Sequence, residues 1–246
     1  MNLPIAVPPW THLGQKLESM MRKALYEFDL LEGETKILIA LSGGKDSLAL
    51  LYLLKAISGR GFPELDIRAV HVSGEFSCGA SIGPSFLQPI CEALEVHLHV
   101  RESTKTRENL ECYSCSRERR SLIFDVAKEL GFKKIAFGHH RDDNIETLLM
   151  NLLHKAEFAG NLPKVPMHHY GVTIIRPLIY ATEAEIREFA KMYGFARITC
   201  QCPVGQLSNR KKIKELIGQL EEVFPNTRVN LAQASFEFGS TKATQK

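Results

Sequence analysis

A glycine turn between an apolar strand and an apolar helix is the strongest constraint that this sequence places on its fold. Residues 36–41 form a short apolar run, as expected of a strand buried on both faces, and the Leu- and Ala-rich residues 45–57 predict a helix. Between them, residues 42–47 read Ser-Gly-Gly-Lys-Asp-Ser. Such a turn lies at the carboxyl end of a strand in an open α/β sheet, which is where ligands bind.

The composition of this turn suits a phosphate group. Gly43 and Gly44 let the backbone approach an anion closely, and the amides at the helix start then point at it. Lys45 adds a positive charge, whereas Asp46 would repel phosphate unless Mg²⁺ lay between the two groups. A tight turn with capping residues is the alternative, but the complete hexapeptide after a strand favours phosphate binding. Its spacing does not match the Walker A pattern or the dinucleotide fingerprint.

Strands and helices alternate along most of the chain. Strands are predicted at residues 66–72, 97–100, 134–137, 172–176 and 197–199, and helices at residues 11–31, 86–94, 116–130, 142–154, from 182 onward and 206–222. Pro163 and Pro166 predict a loop, and residues 239–246 a frayed tail. The alternation favours an α/β fold with a Rossmann-like, doubly wound parallel sheet. We expect an N-terminal helical extension at residues 1–34, a nucleotide-binding domain at 35–202, and a basic C-terminal helix and tail at 203–246.

The overall composition is that of an ordinary globular protein. Charged residues make up 24% of the chain and the formal net charge is +3. No apolar stretch approaches the roughly 20 residues needed to cross a bilayer. Residues 1–10 lack the basic start and apolar core of a signal peptide. We therefore expect a cytoplasmic protein without a membrane partner.

A second acidic pair follows the strand predicted at residues 134–137. Asp142 and Asp143 again stand at the start of a helix, where one of them could serve only as a cap. We favour Asp143 as the second Mg²⁺ ligand, opposite Asp46. His139 and His140 could contact phosphate or substrate, although either could instead be a packed core histidine.

The cysteine spacing indicates a metal or sulfur site rather than a set of disulfides. Cys112 and Cys115 form a C-x-x-C pair just before a predicted helix, and Cys200 and Cys202 form a C-x-C pair. A closed zinc site is possible, but a zinc ribbon would have two C-x-x-C pairs. Thiols that carry sulfur as persulfides without metal are a further alternative. Cys91 lies in an apolar helical pattern and is expected in the core, and Cys78 receives no role.

Basic residues cluster beside both cysteine pairs. Such runs are most often solvated faces, but their closeness to the predicted catalytic loops favours contacts with nucleic-acid phosphates. The predicted nucleic-acid-binding residues are Arg117, Arg119, Arg120, Arg210, Lys211 and Lys212.

Several blocks together resemble the tRNA 2-thiocytidine synthetases, a branch of the PP-loop ATP pyrophosphatases with the adenine nucleotide alpha hydrolase-like fold. The hexapeptide at 42–47 resembles the PP-loop itself. The blocks at 112–120, 138–143 and 175–178 match in the same order, and Arg210 follows Cys202 at the same offset. The resemblance therefore covers most of residues 36–210.

This resemblance implies a reaction and its cofactors. ATP would be cleaved between its α and β phosphates, a cytidine of tRNA at position 32 would be adenylated on its C2 oxygen, and sulfur would replace that oxygen. A [4Fe-4S] cluster would be held by Cys112, Cys115 and Cys202, leaving one iron open to a hydrosulfide. The expected partners are tRNA, a sulfur donor such as a cysteine desulfurase or hydrosulfide, and a second copy of the chain in a homodimer.

The site residues that follow from motif and resemblance fall into two groups. Adenine is expected against Ala40, Leu41 and Val72 through backbone contacts, as the resemblance implies. The predicted ATP-binding residues are Leu41, Ser42, Gly43, Gly44, Lys45, Asp46, Ser47, Val72, Gly138 and His139. The predicted catalytic residues are Lys45, Asp46, Asp143 and Cys202.

Three other functions compete with this one. Uridine-thiolating relatives usually carry extra paired cysteines near both ends, but residues 1–41 and 203–246 contain no cysteine. A tRNA lysidine synthetase would share the turn but would not need the cysteines. A non-catalytic metal- and RNA-binding module would not need an intact hexapeptide, and failure to bind ATP would favour it.

Overall fold

The computed structural model describes residues 3–74, 83–104, 112–196 and 209–240, without the side chains of residues 112–114. Its helices are α1 (His12–Glu27), α2 (Lys45–Ile57), α3 (Pro84–Ala93), α4 (Cys112–Leu130), α5 (Arg141–Lys155), α6 (Glu183–Met192), α7 (Asn209–Val223) and α8 (Thr227–Phe238). Its strands are β1 (Lys36–Ala40), β2 (Asp66–Ser73), β3 (His97–Glu102), β4 (Lys134–Ala136), β5 (Lys164–Met167) and β6 (Val172–Ile175). The strand predicted at residues 197–199 lies outside the described ranges, as do Cys78, Cys200 and Cys202.

The strands form one sheet in the order β3-β2-β1-β4-β6-β5. All neighbouring pairs are parallel except β5 and β6, which are antiparallel. The chain leaves β1 toward β2 on one side, whereas β4 lies on the other side. The carboxyl end of β1 is therefore a topological switch point, where an open α/β sheet forms its ligand crevice. The predicted doubly wound sheet is confirmed, with one antiparallel edge strand.

The loop predicted around Pro163 and Pro166 is wrong, because this segment forms the edge strand β5. Pro166 pairs with Thr173 in the antiparallel register. An edge strand tolerates proline because its outward backbone groups need no partner strand. The two prolines thus led to the prediction of a loop where the chain forms a strand that pairs with β6.

Successive side chains of a strand point to opposite faces of the sheet, and they contribute to two hydrophobic cores, one on each face. One face packs with α1, α2, α3 and α6, and α1 contributes Leu17 and Met21 to this core. On the other face, Leu38 of β1 and Val70 of β2 pack with residues of α4. The N-terminal helix therefore shares the main core of the sheet. No helix within the described ranges is long and apolar enough to cross a membrane.

A third core joins α5 to two C-terminal helices. Ile145 and Leu149 of α5 pack with Ile213 and Ile217 of α7 and with Ala232 of α8. The apolar pattern predicts only the first of these C-terminal helices. The second escaped prediction because its buried positions include small residues, Ala232 and Ser235, rather than an apolar stripe.

Candidate active site

The glycine turn at the end of β1 leaves the start of α2 open to a ligand. Gly43 has a φ of +86°, a left-handed conformation that favours glycine. Gly44 caps α2 without any side-chain hydrogen bond to the helix amides. The hydroxyls of Ser42 and Ser47 lie 3.1 Å apart, and Ser47 donates to the Gly44 carbonyl at 3.0 Å. The turn is therefore folded by its own serines, while the amides at the start of α2 face outward as in anion sites.

Carboxylates hold the lysine of the turn. The Lys45 Nζ atom lies 3.0 Å from each carboxylate oxygen of Asp46 and 3.7 Å from Oε1 of Glu183. Only 17% of the Lys45 side chain is exposed. A polyphosphate that binds here must compete with these carboxylates for the ammonium group.

One histidine connects the two acids predicted to bind Mg²⁺. The Nε2 atom of His140 lies 3.8 Å from Oδ1 of Asp46 and 3.4 Å from Oδ2 of Asp143. His140 is buried, with 5% of its surface exposed. The turn after β1 and the turn after β4 therefore place their carboxylates around the same ring nitrogen.

Gly138 allows this close approach of the two turns. A Cβ atom on Gly138 would lie 2.8 Å from the carbonyl carbon of Asp46 and 2.9 Å from the amide nitrogen of Ser47. Such distances do not occur between real Cβ atoms and backbone. Glycine is required here because the backbone of one turn packs directly on the other.

Asp142 and Asp143 point in different directions. Asp142 is buried, accepts from the backbone N–H of Glu183 at 2.7 Å, and pairs with Arg228 at 2.8 Å. Asp143 accepts from the backbone N–H of His140 at 3.1 Å, which completes a capping box, and it also faces the site. Burial would raise the pKa of Asp143, but His140 and Arg210 outweigh it, so the pKa is lowered and the carboxylate is ionised. The site acid is thus also the N3 residue of the capping box, whose N-cap is His140.

The two site acids fit a partial Mg²⁺ site. Within the described ranges, no group of three His, Cys, Asp or Glu side chains converges as a ready-made metal site. Mg²⁺ commonly uses one or two carboxylates together with phosphate oxygens and water. Asp46 and Asp143 match that requirement only if ATP supplies the remaining ligands.

Leu41 and Val72 differ in what their backbones can offer to adenine. The Leu41 N–H donates to the Val70 carbonyl at 2.9 Å, and its own carbonyl accepts from Nδ1 of His71 at 2.8 Å. The Leu41 N–H is therefore already paired, and its carbonyl oxygen retains one lone pair for a further donor. Because alternate residues of a strand direct their backbone groups to the same side, Val72 points its N–H and C=O past the end of β1. Val72 is the better placed of the two.

His139 is held between an aromatic ring and a buried arginine. The ring of Phe137 stacks on the ring of His139, with 5.6 Å between the ring centroids and 17° between the ring planes. The Arg176 Nε atom donates to Nδ1 of His139 at 3.3 Å. Burial, and then the charge of Arg176, lowers the pKa of His139, so the ring is neutral.

The first cysteine pair lies inside a helix rather than before one. The prediction that this helix starts at Ser116 is wrong, since α4 begins at Cys112. Cys112 and Cys115 therefore occupy the first turn of α4, three residues apart and on the same face. Cys115 is buried, with 5% of its surface exposed. Cys91 is fully buried and its pKa is raised to about 11 by burial, which confirms its place in the core.

The predicted nucleic-acid-binding residues split into two kinds. Arg210 reaches into the site, where Nη1 lies 3.1 Å from Oδ1 of Asp143 and Nε lies 3.5 Å from Glu146. Arg210 is nevertheless exposed, as are Arg117, Arg120, Lys211 and Lys212, whereas Arg119 is partly buried.

Glu183 is a site residue that the motifs did not reveal. It binds Lys45, Arg187 at 2.6 Å, and Lys214 of α7. Burial would raise the pKa of Glu183, but Lys214, Lys45 and Arg187 lower it to about 2. The only sequence signal was an acid in the first turn of a helix capped by Thr182, which is commonly just a dipole effect.

Comparisons with known proteins agree with this geometry. A family model described as a PP-loop domain matches residues 11–217. The tRNA-cytidine(32) 2-sulfurtransferase of Syntrophotalea carbinolica is 34% identical over 90% of this chain and 88% of its own length. The protein of the same name from Sorangium cellulosum is 35% identical over 90% of this chain and 81% of its own length.

A solved structure supports the fold. The U34-tRNA thiolase NcsA from Methanococcus maripaludis, solved with its [4Fe-4S] cluster, has a TM-score of 0.73 and 23% identity, and the match covers 90% of this chain and 77% of that one. At this identity, the likeness concerns the fold. The family model spans well over half of the chain, and relatives above 30% identity cover about nine-tenths of it. The chain therefore belongs to the PP-loop family and, within it, to the tRNA-cytidine(32) 2-sulfurtransferases.

Proposed function

We propose that this chain uses ATP to replace the C2 oxygen of a cytidine in tRNA with sulfur, at position 32 as in the names of its relatives. The observation that carries the proposal is the meeting of the glycine turn with the turn after β4, which places Asp46 and Asp143 beside His140, with Lys45 paired to Asp46. These are the groups that activation by a nucleotide requires: a phosphate cradle, a cation and two carboxylates for Mg²⁺.

The first step is adenylation of the base. The C2 oxygen of cytosine attacks the α-phosphorus of ATP, and the bond to the bridging oxygen of pyrophosphate breaks. Lys45 and the amides at the start of α2 stabilise the charge on the departing pyrophosphate. Mg²⁺ held by Asp46 and Asp143 would neutralise the same charge. Lys45 is freed for this role when the phosphates displace it from Asp46 and Glu183.

The second step replaces the adenylated oxygen. Cys112, Cys115 and Cys202 are the proposed ligands of a [4Fe-4S] cluster, which would supply sulfur at an open iron. Positions 112 and 115 on the first turn of α4 fit such a ligand set, because residues three apart in a helix lie on the same face. Sulfur becomes bonded to C2, the C–O bond to the adenylate breaks, and AMP leaves with the original oxygen.

The partners follow from exposed charge and exposed apolar surface. Exposed basic residues on α4 and α7 support contacts with tRNA phosphates. A hydrosulfide or a cysteine desulfurase is the proposed sulfur source. Val223, Phe224 and Val229, at the corner of α7 and α8, are 51% to 68% exposed and support a homodimer, which light scattering would test.

Mass spectrometry of tRNA nucleosides tests the proposed function. A strain that lacks this protein should lose 2-thiocytidine, and the wild-type gene should restore it. The variant Lys45→Met should not restore it. Retention of 2-thiocytidine in the deletion strain would refute the proposal, and loss of a 2-thiouridine instead would favour the uridine-thiolating alternative.

A further inference from the structure

We infer that Arg176 is a positioning residue that fixes His139 in one tautomer, so that His139 presents a neutral Nε2–H donor to an oxygen atom of the reacting groups. The inference rests on the proposed function for the identity of that oxygen. It is either an α-phosphate oxygen of ATP or the C2 oxygen of the base. The tautomer itself rests only on contacts within the chain.

The hydrogen-bonding chemistry of Arg176 sets the tautomer. A guanidinium group has only donors, so Nδ1 of His139 must be the acceptor of the 3.3 Å contact from Arg176 Nε. In a neutral imidazole the proton then lies on Nε2. Arg176 is 6% exposed and also donates from Nη1 to the Leu162 carbonyl at 2.5 Å, so its side chain is anchored at two points.

The sheet holds the two residues in register. The Phe137 N–H donates to the Ile175 carbonyl at 3.0 Å, which continues the pairing of β4 with β6. The Arg176 N–H donates to the Pro163 carbonyl at 2.8 Å on the opposite side. Since Phe137 also stacks on His139, the ring is fixed by one strand end and its tautomer by the neighbouring strand end.

The other ring nitrogen of His139 is available to a ligand. Within the described ranges, no group is hydrogen-bonded to Nε2 of His139, and the residue as a whole keeps part of its surface exposed. His140 differs, because its Nδ1 accepts from the Asp143 N–H at 3.4 Å and its Nε2 lies between the two acids. Of the two histidines, His139 is thus the one whose Nε2–H group has no hydrogen-bond partner among the described residues.

The charges around His139 favour hydrogen bonding over proton transfer. The groups that face it are Arg176, Asp143, Arg210 and Arg120, of which three are cationic. Together with burial, the arginines disfavour the imidazolium form. A ring that stays neutral gives up no proton at neutral pH, but a fixed N–H dipole stabilises negative charge that grows on an oxygen during the reaction.

Nuclear magnetic resonance of the full-length chain, labelled with ¹⁵N-histidine and purified anaerobically, tests the tautomer directly. The His139 signals are assigned by their loss in His139→Gln. Nε2 should be protonated and Nδ1 bare from about pH 6 to pH 8. The variant Arg176→Met should show mixed tautomers, and Arg176→Lys, which keeps a donor, should restore part of the preference. A protonated Nδ1 in the wild-type protein would overturn the inference.

Adenylation assays test what the donor does. The amide nitrogen of Gln lies near the position of Nε2 and that of Asn near Nδ1, so His139→Gln should be faster than His139→Asn by about tenfold or more. If the acceptor is on ATP, a non-hydrolysable ATP analogue should bind more weakly to His139→Asn without tRNA. If the acceptor is the C2 oxygen, analogue binding should be unchanged and only the tRNA-dependent step should slow. Equal rates for the two variants would overturn the functional part, even if tRNA thiolation itself is established.

Discussion

Neighbouring residues at the start of α5 have separate tasks that their sequence does not distinguish. Asp142 ties α5 to α6 and α8 through the Glu183 N–H and Arg228, and it is buried. Asp143 faces Asp46 across His140 and also pairs with Arg210. Asp142 is therefore used entirely for contacts within the fold, whereas Asp143 combines such contacts with a place at the site.

Substitution of the two acids should separate stability from activity. Asp143→Asn should slow adenylation by about a hundredfold or more, because a proposed cation ligand is lost, and its Tm should fall less than that of Asp142→Asn, because Asn can still accept from the His140 N–H. Asp142→Asn should lower stability by about 1–3 kcal/mol, because Arg228 loses its buried partner. Thermal unfolding and adenylation rates measured on both variants check this. Equal effects of the two changes on either quantity would contradict the assignment.

Gly138 is the second residue-scale prediction. Gly138→Ala should weaken binding of an ATP analogue by about tenfold or more, since the new methyl group would push the start of α2 away from the turn after β4. Gly218→Ala in α7 is the matched control, because nothing lies within 4 Å of its added Cβ atom. That control should leave binding unchanged and stabilise the helix by up to about 1 kcal/mol. Isothermal titration calorimetry and Tm measurements decide between the two outcomes.

At the scale of elements, α7 is clamped to the site by ion pairs at its start. Arg210 binds Asp143 and Glu146, and Lys214 binds Glu183, which itself holds Lys45. Asp143 is a proposed cation ligand and Glu183 holds the proposed phosphate-binding lysine, and these same two carboxylates bind the basic residues at the start of α7. Under the proposed function, we therefore expect ATP binding at the glycine turn to be coupled to the position of α7 through these shared charges.

This clamp makes stability depend on pH through Glu183. Its pKa is about 2 in the folded chain against 4.5 for the ordinary group, so the contribution is present above pH 4.5 and is lost as the pH falls toward 2. Urea unfolding at pH 7 and pH 4 should show a loss on the order of 1 kcal/mol in the wild type that is smaller in Glu183→Gln. Glu188→Gln on the exposed face of α6 is the control and should behave like the wild type. An identical pH dependence in all three proteins would rule out this role.

The first turn of α4 carries the second element-scale prediction. Because Cys112 and Cys115 share a helical face, both should bind the same cluster as Cys202. After anaerobic purification, Cys112→Ala, Cys115→Ala and Cys202→Ala should each lose most of their iron and sulfide. Cys200→Ala, two residues from a proposed ligand, should keep them. Unchanged iron in the three variants would favour the persulfide alternative, and zinc in place of iron would favour the closed zinc site.

At the scale of the whole molecule, one end of the sheet collects segments that are far apart in the chain. The turn at 42–47, the turn at 138–143, the start of α6 and the start of α7 meet there. Parallel strands that share a direction bring their carboxyl ends to one edge, so each following loop can add a group to the same cleft. The exposed lysines at the start of α7 border this edge and face solvent.

Those lysines should contact tRNA. Lys211→Glu combined with Lys212→Glu should weaken tRNA binding and reduce its dependence on salt, because fewer phosphate contacts release fewer counterions. Binding of an ATP analogue should not change. Lys36→Glu is the matched control, since Lys36 lies at the amino end of β1 on the opposite edge of the sheet. Fluorescence anisotropy at several salt concentrations measures tRNA binding by both variants. If the control weakened tRNA binding as much as the lysine substitutions, a specific tRNA-binding surface on α7 would be contradicted.

Local sequence was enough for the glycine turn and for the strand and helix around it. These depend on backbone conformation, hydrogen bonds between near neighbours and the period of apolar residues, all of which are written into a few consecutive residues. The bounds of α2 follow the prediction at both ends for that reason. The doubly wound sheet also followed, because strand and helix alternation leaves few topologies.

Tertiary structure decided what depends on partners distant in the chain. β5 exists because β6 pairs with it, and α8 exists because α5 offers a surface to its small residues. The different tasks of Asp142 and Asp143, the clamp at Glu183 and the contact between Arg176 and His139 come from elements that only the folded sheet brings together. A side chain's neighbours across a fold leave no period in the sequence, so the sequence specified the chemical groups and the fold determined which of them work together.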